Sequence, residues 1–250
     1  MLNPTALLQC PRCRSGSLTQ SAPNADLRCT HCGKAFDIKS DVFCFMEKFD
    51  DYTDNYDQIC TDDLREPKTP DVVKHIFSTF VTEMAAGLTC DLGCGDGHVI
   101  QQVKTPHRVA VDIAFKYLER LPHSILKLWS RVEEVPLQSE SVSTLICTDV
   151  IEHVLDAKML AHEIARLLAP SGQLLLAFPF EQDLSVYDLP EYKAKFGKYK
   201  YVHLRSINDD MIASLFPDFK IQFSKLITEG MPLMLFKPYP IKFVQLIKTR

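Results

Sequence analysis

The heptapeptide Asp91-Leu-Gly-Cys-Gly-Asp-Gly97 constrains this chain more than any other stretch. It ends the apolar run LTCDLG, which predicts a short strand entering a glycine loop. Gly93, Gly95 and Gly97 let the backbone turn sharply and let a ligand approach the main chain. The next predicted strand, RVAVDIA, ends at Asp112, roughly 20 residues on, where a carboxylate can hold two ribose hydroxyls. Glycine loop and acid together point to a nucleoside-containing cofactor. A purely structural tight turn would show the same glycines, so the flanking pattern decides.

That pattern is α/β. Asp71 is placed to cap the helix VVKHIFSTFVTEMAA, which stops at Gly87. After RVAVDIA come a short helix FKYLERL and the strands SILKLW and SVSTLICTDV. The amphipathic helix AKMLAHEIARLLAP follows, with Pro170, Ser171 and Gly172 as its stop, then the strand QLLLAFPF, apolar enough to be buried on both faces. SINDDMIASLF predicts a helix opened by Ser206 or Asn208, and DFKIQFSK and MPLMLFKP predict two last strands. Strands alternating with helices imply a parallel sheet covered on both sides. The tail MPLMLFKPYPIKFVQLIKTR has two readings, a last strand at the sheet edge or a dimer contact; the oligomeric state stays open.

Composition narrows the class. Hydrophobic residues make up 46% and charged residues 24% of 250, which excludes a disordered chain. A net charge of −4 weighs against a nucleic-acid binder. No apolar run approaches the roughly 20 residues of a membrane helix. The start MLNPTALLQC lacks the features of a secretory signal, so the expected location is the cytoplasm.

The nine cysteines are unevenly placed. Cys10-Pro-Arg-Cys13 and Cys29-Thr-His-Cys32 are two C-x-x-C pairs at the spacing of a structural zinc ribbon, which residues 1–45 would form. Four thiolates complete a tetrahedron and leave no open position for catalysis. Gly33 follows the second pair, where a knuckle needs positive φ. SGSLTQSAPNADLR between the pairs predicts a hairpin, and KAFDIKSDVFCF a short strand segment. A redox pair is the competing reading, but it would sit beside a βαβ unit and not come in duplicate. Cys44, Cys60, Cys90, Cys94 and Cys147 lack partners at ligand spacing and are expected to be buried thiols in a reducing compartment.

Residues 46–70 are acidic and aromatic without a clean period, a linker with one short helix that covers a site in the main domain or simply connects. The main domain spans 71–250. Its insertion 181–205 carries Tyr187, Tyr192, Phe196, Tyr199 and Tyr201 beside Lys193, Lys195, Lys198 and Lys200. Such a loop serves as a lid, as a surface that stacks bases and meets phosphate, or as a solvated excursion.

The loop's spacing is G-x-G-x-G, not the G-x-G-x-x-G of a dinucleotide fingerprint, and no P-loop is present. Asp91 and Asp96 would repel a pyrophosphate but suit an α-amino group and a sulfonium. These charges favour S-adenosylmethionine (SAM) over NAD. DLGCGDG, VAVDIA, VEEVPLQSESVSTLICTDVIEHV and LAPSGQLLLAFPF, in this order over residues 71–240, resemble a class I SAM-dependent methyltransferase of the type 11 kind. Small four-cysteine ribbons precede such domains in several bacterial enzymes. The resemblance implies a Rossmann-like α/β fold with a seven-stranded sheet whose last strand is antiparallel.

It also implies site residues. Gly93, Cys94 and Gly95 pass under the methionine and ribose, Asp91 lies near the amino-acid end, and Asp112 with Ile113 takes the ribose. Arg131 and Val132 lie where the adenine is held; the family often has an acid at the position of Arg131, so the adenine edge would be read by the Val132 backbone. Thr148 and Asp149 face the sulfonium or the substrate.

Transfer from a sulfonium is an in-line displacement that needs alignment, and a base only when the nucleophile holds its proton tightly. His203 and His153 are the candidates for a catalytic role; His153, next to Glu152, also reads as a loop-holding residue. Tyr192 and Arg205 are the candidate substrate contacts, Arg205 for a carboxylate or phosphate. Three functions follow: methylation of a small molecule, methylation of an rRNA or tRNA base through the ribbon and the basic-aromatic insertion, and a non-catalytic SAM-binding or protein-interaction module. No [DN]-P-P-[YFW] follows the fourth strand, which argues against an exocyclic base amino group as acceptor.

Overall fold

The computed structural model describes residues 4–22, 25–46, 50–65, 72–180, 190, 193–194, 197–228, 233–234, 237–238 and 240–249. The N-terminal part holds α1 (Pro4–Leu7) and a small antiparallel sheet of β1 (Leu18–Gln20), β2 (Leu27–Cys29) and β3 (Ala35–Phe36). It continues into β4 (Ile38–Lys39) and β5 (Val42–Cys44). Two helices follow, α2 (Asp51–Asp63) and α3 (Val72–Met84). The main part then runs β6 (Leu88–Leu92), β7 (His107–Asp112), α4 (Phe115–Leu118), β8 (Leu126–Trp129), β9 (Val142–Thr148), α5 (Ala157–Leu167) and β10 (Leu168–Pro179). The chain closes with α6 (Asp209–Leu215), β11 (Phe219–Ile227), a minimal hairpin β12 (Leu233–Met234) and β13 (Lys237–Pro238), and β14 (Ile241–Lys248).

One sheet organises the molecule, in the order β11-β14-β10-β9-β6-β7-β8-β5-β4. Neighbours from β10 to β5 are parallel, and β14 is antiparallel to both β10 and β11. The central strand β6 is buried at every position, as a strand covered on both faces must be. Seven strands, β8 to β11 in this order, form the α/β sheet with a final antiparallel strand. β5 and β4, from the cysteine-bearing segment, extend it beyond β8.

The last strand differs from expectation. Among the described residues, MPLMLFKP contributes the small hairpin β12–β13, and the final strand is IKFVQLIK. β14 is buried along most of its length because it lies inside the sheet, between β10 and β11, rather than at its edge. The glycine loop enters no regular helix: Gln101 N–H donates to Gly97 O and Gln102 N–H to Val99 O in isolated turns. Asn208 is the cap of α6, its side chain accepting from Met211 N–H. Asp71 lies outside the described residues.

The N-terminal segment shares the sheet's core. Leu8, Leu18, Leu27, Phe36, Phe43 and Phe45 pack in one apolar cluster with Leu128, Val135, Leu137 and Ile164. Phe45 N–H donates to Trp129 O, Gln9 N–H to Pro136 O, and Gln138 N–H to Leu7 O. Lys127 of β8, 1% exposed, sets its ammonium 3.1 Å from Asp41 and donates to Leu121 O. A buried lysine is tolerated only when so paired. Among the described residues, no helix is long and apolar enough to cross a membrane.

Candidate active site

The site forms where the parallel strands end. Gly93, Gly95 and Gly97 all have positive φ. At Gly93 an added Cβ would fall 2.5 Å from Val150, so the loop packs against the turn after β9. At Gly95 it would meet nothing within 4 Å, because that position faces a cavity. Gly95 N–H donates to Asp112 Oδ2 at 2.8 Å and Ala114 N–H to Asp112 Oδ1 at 2.7 Å. These two amides orient the carboxylate. Burial pushes its pKa up to about 6, with the amides pulling the other way.

The cavity, about 170 Å³, is lined by Gly93, Gly95, Asp112, Ile113 and Val132. Asp149 and His153 close it on the β9 side, and Tyr52, Tyr56 and Ile59 of α2 on another. Asp149 has φ of 51°, a left-handed conformation that aspartate tolerates and that recurs at ligand sites. Glu133 also lines the cavity, and burial raises its pKa. Sequence reasoning passed over it by looking for an acid at position 131. Arg131 instead pairs with Asp50 and stacks its guanidinium over the Tyr52 ring, 5.3 Å from the centroid, beside a different cavity. Asp91, buried under the loop, accepts from Ile100 N–H; burial, then the nearby Asp112 charge, raises its pKa well above the carboxylate range. Cys94 is buried, and Thr148 Oγ1 is a buried atom without a hydrogen-bond partner among the described residues. Neither Asp91, Cys94 nor Thr148 lines the cavity.

α2 is bound to the end of the insertion. Asp50 and Thr53 form its capping box. Asn55 Oδ1 accepts from Lys200 N–H at 2.7 Å and from Tyr201 N–H at 3.3 Å, and Tyr56 Oη donates to Tyr201 O at 3.0 Å. Lys198 pairs with Asp62 and Lys200 with Asp51, each at 2.8 Å. α2 is held from the other side by Lys116 to Asp57 and by Tyr117 Oη to Asp63. Tyr187, Tyr192 and Phe196 lie outside the described residues.

His153 and His203 are brought together, ring centroids 4.8 Å apart. His153 Nδ1 lies 2.6 Å from Val202 O, which accepts from it, and its Nε2 is 3.9 Å from Glu152, itself 1% exposed. Arg205 donates to Ile151 O and Leu155 O, pinning its segment onto the turn after β9.

In the cysteine cluster, Cys10 and Cys32 sulfurs are 3.8 Å apart and those of Cys13 and Cys29 3.6 Å. Sulfurs 2.3 Å from a tetrahedral zinc would stand about 3.8 Å from one another, so the geometry fits that ion. Burial raises the Cys29 thiol, but amides of Cys32 and His31 outweigh it and bring it to about 6, whereas burial pushes the Cys10 thiol up to about 12, so the four are unevenly poised for the thiolates a metal needs.

Residues 90–176, from β6 to β10, match the family model described as a methyltransferase domain. The fold is that of the class I SAM-dependent methyltransferases. A probable S-adenosylmethionine-dependent methyltransferase of Mycobacterium tuberculosis is 29% identical over 150 residues, 57% of this chain and 52% of that protein. The chain spans about half the length, or less, of the curated relatives it matches. Magnesium protoporphyrin IX methyltransferase of Synechocystis, solved with bound SAH, superposes with TM-score 0.57 at 16% identity, over 80% of this chain and 100% of that one. A chain from the complex of the Haloferax volcanii Trm112 methyltransferase activator with a putative methyltransferase gives TM-score 0.61 at 12% identity, over 80% and 98%.

Proposed function

We propose that this chain is a SAM-dependent methyltransferase acting on a small molecule. The observation that carries the reading is the convergence of the open Gly95, the amide-oriented Asp112 and the half-buried Glu133 on one cavity. Asp112 would hold the ribose hydroxyls. Glu133, or the Val132 backbone, would meet the adenine, and the Gly93–Gly95 backbone would support the methionine end. The bound cofactor supplies an electrophilic methyl on a sulfonium. The chain's own part is to align the acceptor and exclude water. Tyr52, Tyr56 and Ile59 do the latter from α2. The acceptor would lie at the polar end beside Asp149, His153 and His203, with Arg205 on the neighbouring segment as a candidate contact; Tyr192, the other candidate, lies outside the described residues.

Charge separates small molecule from RNA. Two of the lysines that suggested a phosphate-binding surface, Lys198 and Lys200, are neutralised by Asp62 and Asp51 of α2. This supports a strap over a closed pocket rather than an open basic surface. For the ribbon, we propose structural zinc on Cys10, Cys13, Cys29 and Cys32. The segment seals the β8 edge within the chain itself, a place where an unpaired strand would otherwise be exposed.

Calorimetry with SAM and its demethylated product tests the enzyme reading: both are expected to bind, and absence of binding would end it. Filter retention of RNA at low salt tests the alternative, because phosphate contacts would give salt-dependent binding. No retention is expected; strong retention that falls with salt would transfer the proposal to RNA.

A further inference from the structure

Glu152, His153 and His203 offer one carboxylate oxygen and two imidazole nitrogens within 4.8 Å of one another, and His153 of this group lines the cavity. We propose that these three side chains are a second metal site, for a divalent cation with mixed nitrogen and oxygen preference. It is distinct from the cysteine cluster.

The donor set is the first argument. Two histidines and one carboxylate form the three-ligand set that leaves coordination positions open, unlike four cysteines. The orientation of His153 is the second. A metal-bound histidine ordinarily donates its other ring N–H to a carbonyl or carboxylate, which fixes the tautomer. His153 Nδ1–H donates to Val202 O at 2.6 Å, and this puts Nε2, the nitrogen that would bind the metal, 3.9 Å from Glu152.

The scaffold is braced. The turn 151–155 and the segment 202–205 are tied by Leu204 N–H to Glu152 O at 2.8 Å and by Arg205 to Ile151 O and Leu155 O. Donors about 2.0–2.2 Å from a metal stand roughly 3.0–3.4 Å apart. The 3.9 Å between Glu152 and His153 therefore closes by a small rotation of one side chain. His153 and Asp149 both line the cavity, so open positions of the cation face the space proposed for the acceptor. An acceptor oxygen can complete the shell there, and a cation lowers the pKa of a bound hydroxyl. Cation binding itself stands apart from the methyl-transfer reading; only the role toward the acceptor rests on it.

The test uses the full chain with zinc already in the cysteine cluster, titrated with Mn²⁺ and followed by the loss of the free-ion electron paramagnetic resonance signal. Mn²⁺ prefers nitrogen and oxygen donors and does not displace zinc from thiolates. One Mn²⁺ per chain is expected. His203→Ala and Glu152→Gln should each weaken it at least about tenfold, while His75→Ala, at an exposed histidine of α3, leaves it unchanged. Thermal melts establish that each variant is folded; if Glu152→Gln does not fold, the less buried His203→Ala carries the decision. No Mn²⁺ binding up to millimolar concentration, or equal binding by His203→Ala, overturns the site. Calorimetry with the demethylated cofactor on the same samples keeps the two proposals apart. Mn²⁺ bound without cofactor binding sinks methyl transfer and keeps the metal site; cofactor bound without Mn²⁺ does the reverse.

Discussion

At the residue scale, Asp112 is where sequence and structure meet most directly. Its place at the cavity was legible because it depends on local spacing: a strand end, one turn from a glycine loop. The structure adds the two amides that aim it and the burial that raises its pKa to about 6. Cofactor hydroxyls donate best to the ionised carboxylate. Affinity for the demethylated cofactor should therefore be flat above about pH 7 and fall as pH drops through 6, approaching tenfold per unit, in calorimetry from pH 8 to 5. The direction follows from the raised value: the free protein takes up this proton at a pH where an ordinary aspartate stays ionised. Asp112→Asn removes a charged acceptor and should weaken binding by about 10- to 100-fold, since hydrogen bonds to charged groups are worth about 1.5–3 kcal/mol. A variant that binds normally would move the ribose elsewhere. Glu133 was not legible in the same way. VEEVPL holds two adjacent acids, and which of its residues faces the cavity depends on Arg131 being drawn to Asp50, 81 positions away in sequence.

Elements divide by how local their causes are. The strands β6, β7, β9 and β10 could be read because each is a dense apolar run between breakers. α2 could not be placed by pattern: its 13 residues carry Asp51, Asp54, Asp57, Asp62 and Asp63 and little apolar surface. Its stability comes from partners far along the chain, chiefly the backbone of Lys200 and Tyr201. The ion pairs to Lys198 and Lys200 are exposed and contribute little. Asn55 is the decisive group, because its amide oxygen accepts both strap N–H groups. Asn55→Ala should loosen the strap by about 1–3 kcal/mol, the net worth of two hydrogen bonds at about 0.5–1.5 kcal/mol each. Hydrogen exchange at the Lys200 and Tyr201 amides should speed up by at least tenfold while exchange in β6 and β9 stays constant. Unchanged exchange at those two amides would mean that the strap is held by something other than α2.

For the whole molecule, the question is whether the N-terminal segment is an attachment or part of the fold. Cysteine spacing alone made it a self-contained module. A three-residue strand such as β5 carries too little pattern to announce that it pairs in parallel with β8, some 80 residues later. The antiparallel β14 was hidden for a related reason: its place between β10 and β11 depends on strand order, which periodicity does not encode. Shared burial of Phe36, Phe43 and Phe45 with Leu128 and Val135, together with the Asp41–Lys127 pair, couples the cysteine cluster to the main sheet. If zinc holds the four cysteines, removing it should reach beyond residues 1–45. Loss of the metal frees the ribbon, uncovers the β8 edge and leaves Lys127 buried beside a displaced aspartate, a costly arrangement. Calorimetric unfolding of chelated protein should then show one transition, shifted well below that of the zinc-loaded chain. Affinity for the demethylated cofactor should fall with it, because β8 leads directly into the Arg131–Glu134 turn beside the cavity. Two resolved transitions, the upper one unmoved and the cofactor still bound, would instead make the ribbon an independent domain whose contacts with the sheet contribute little.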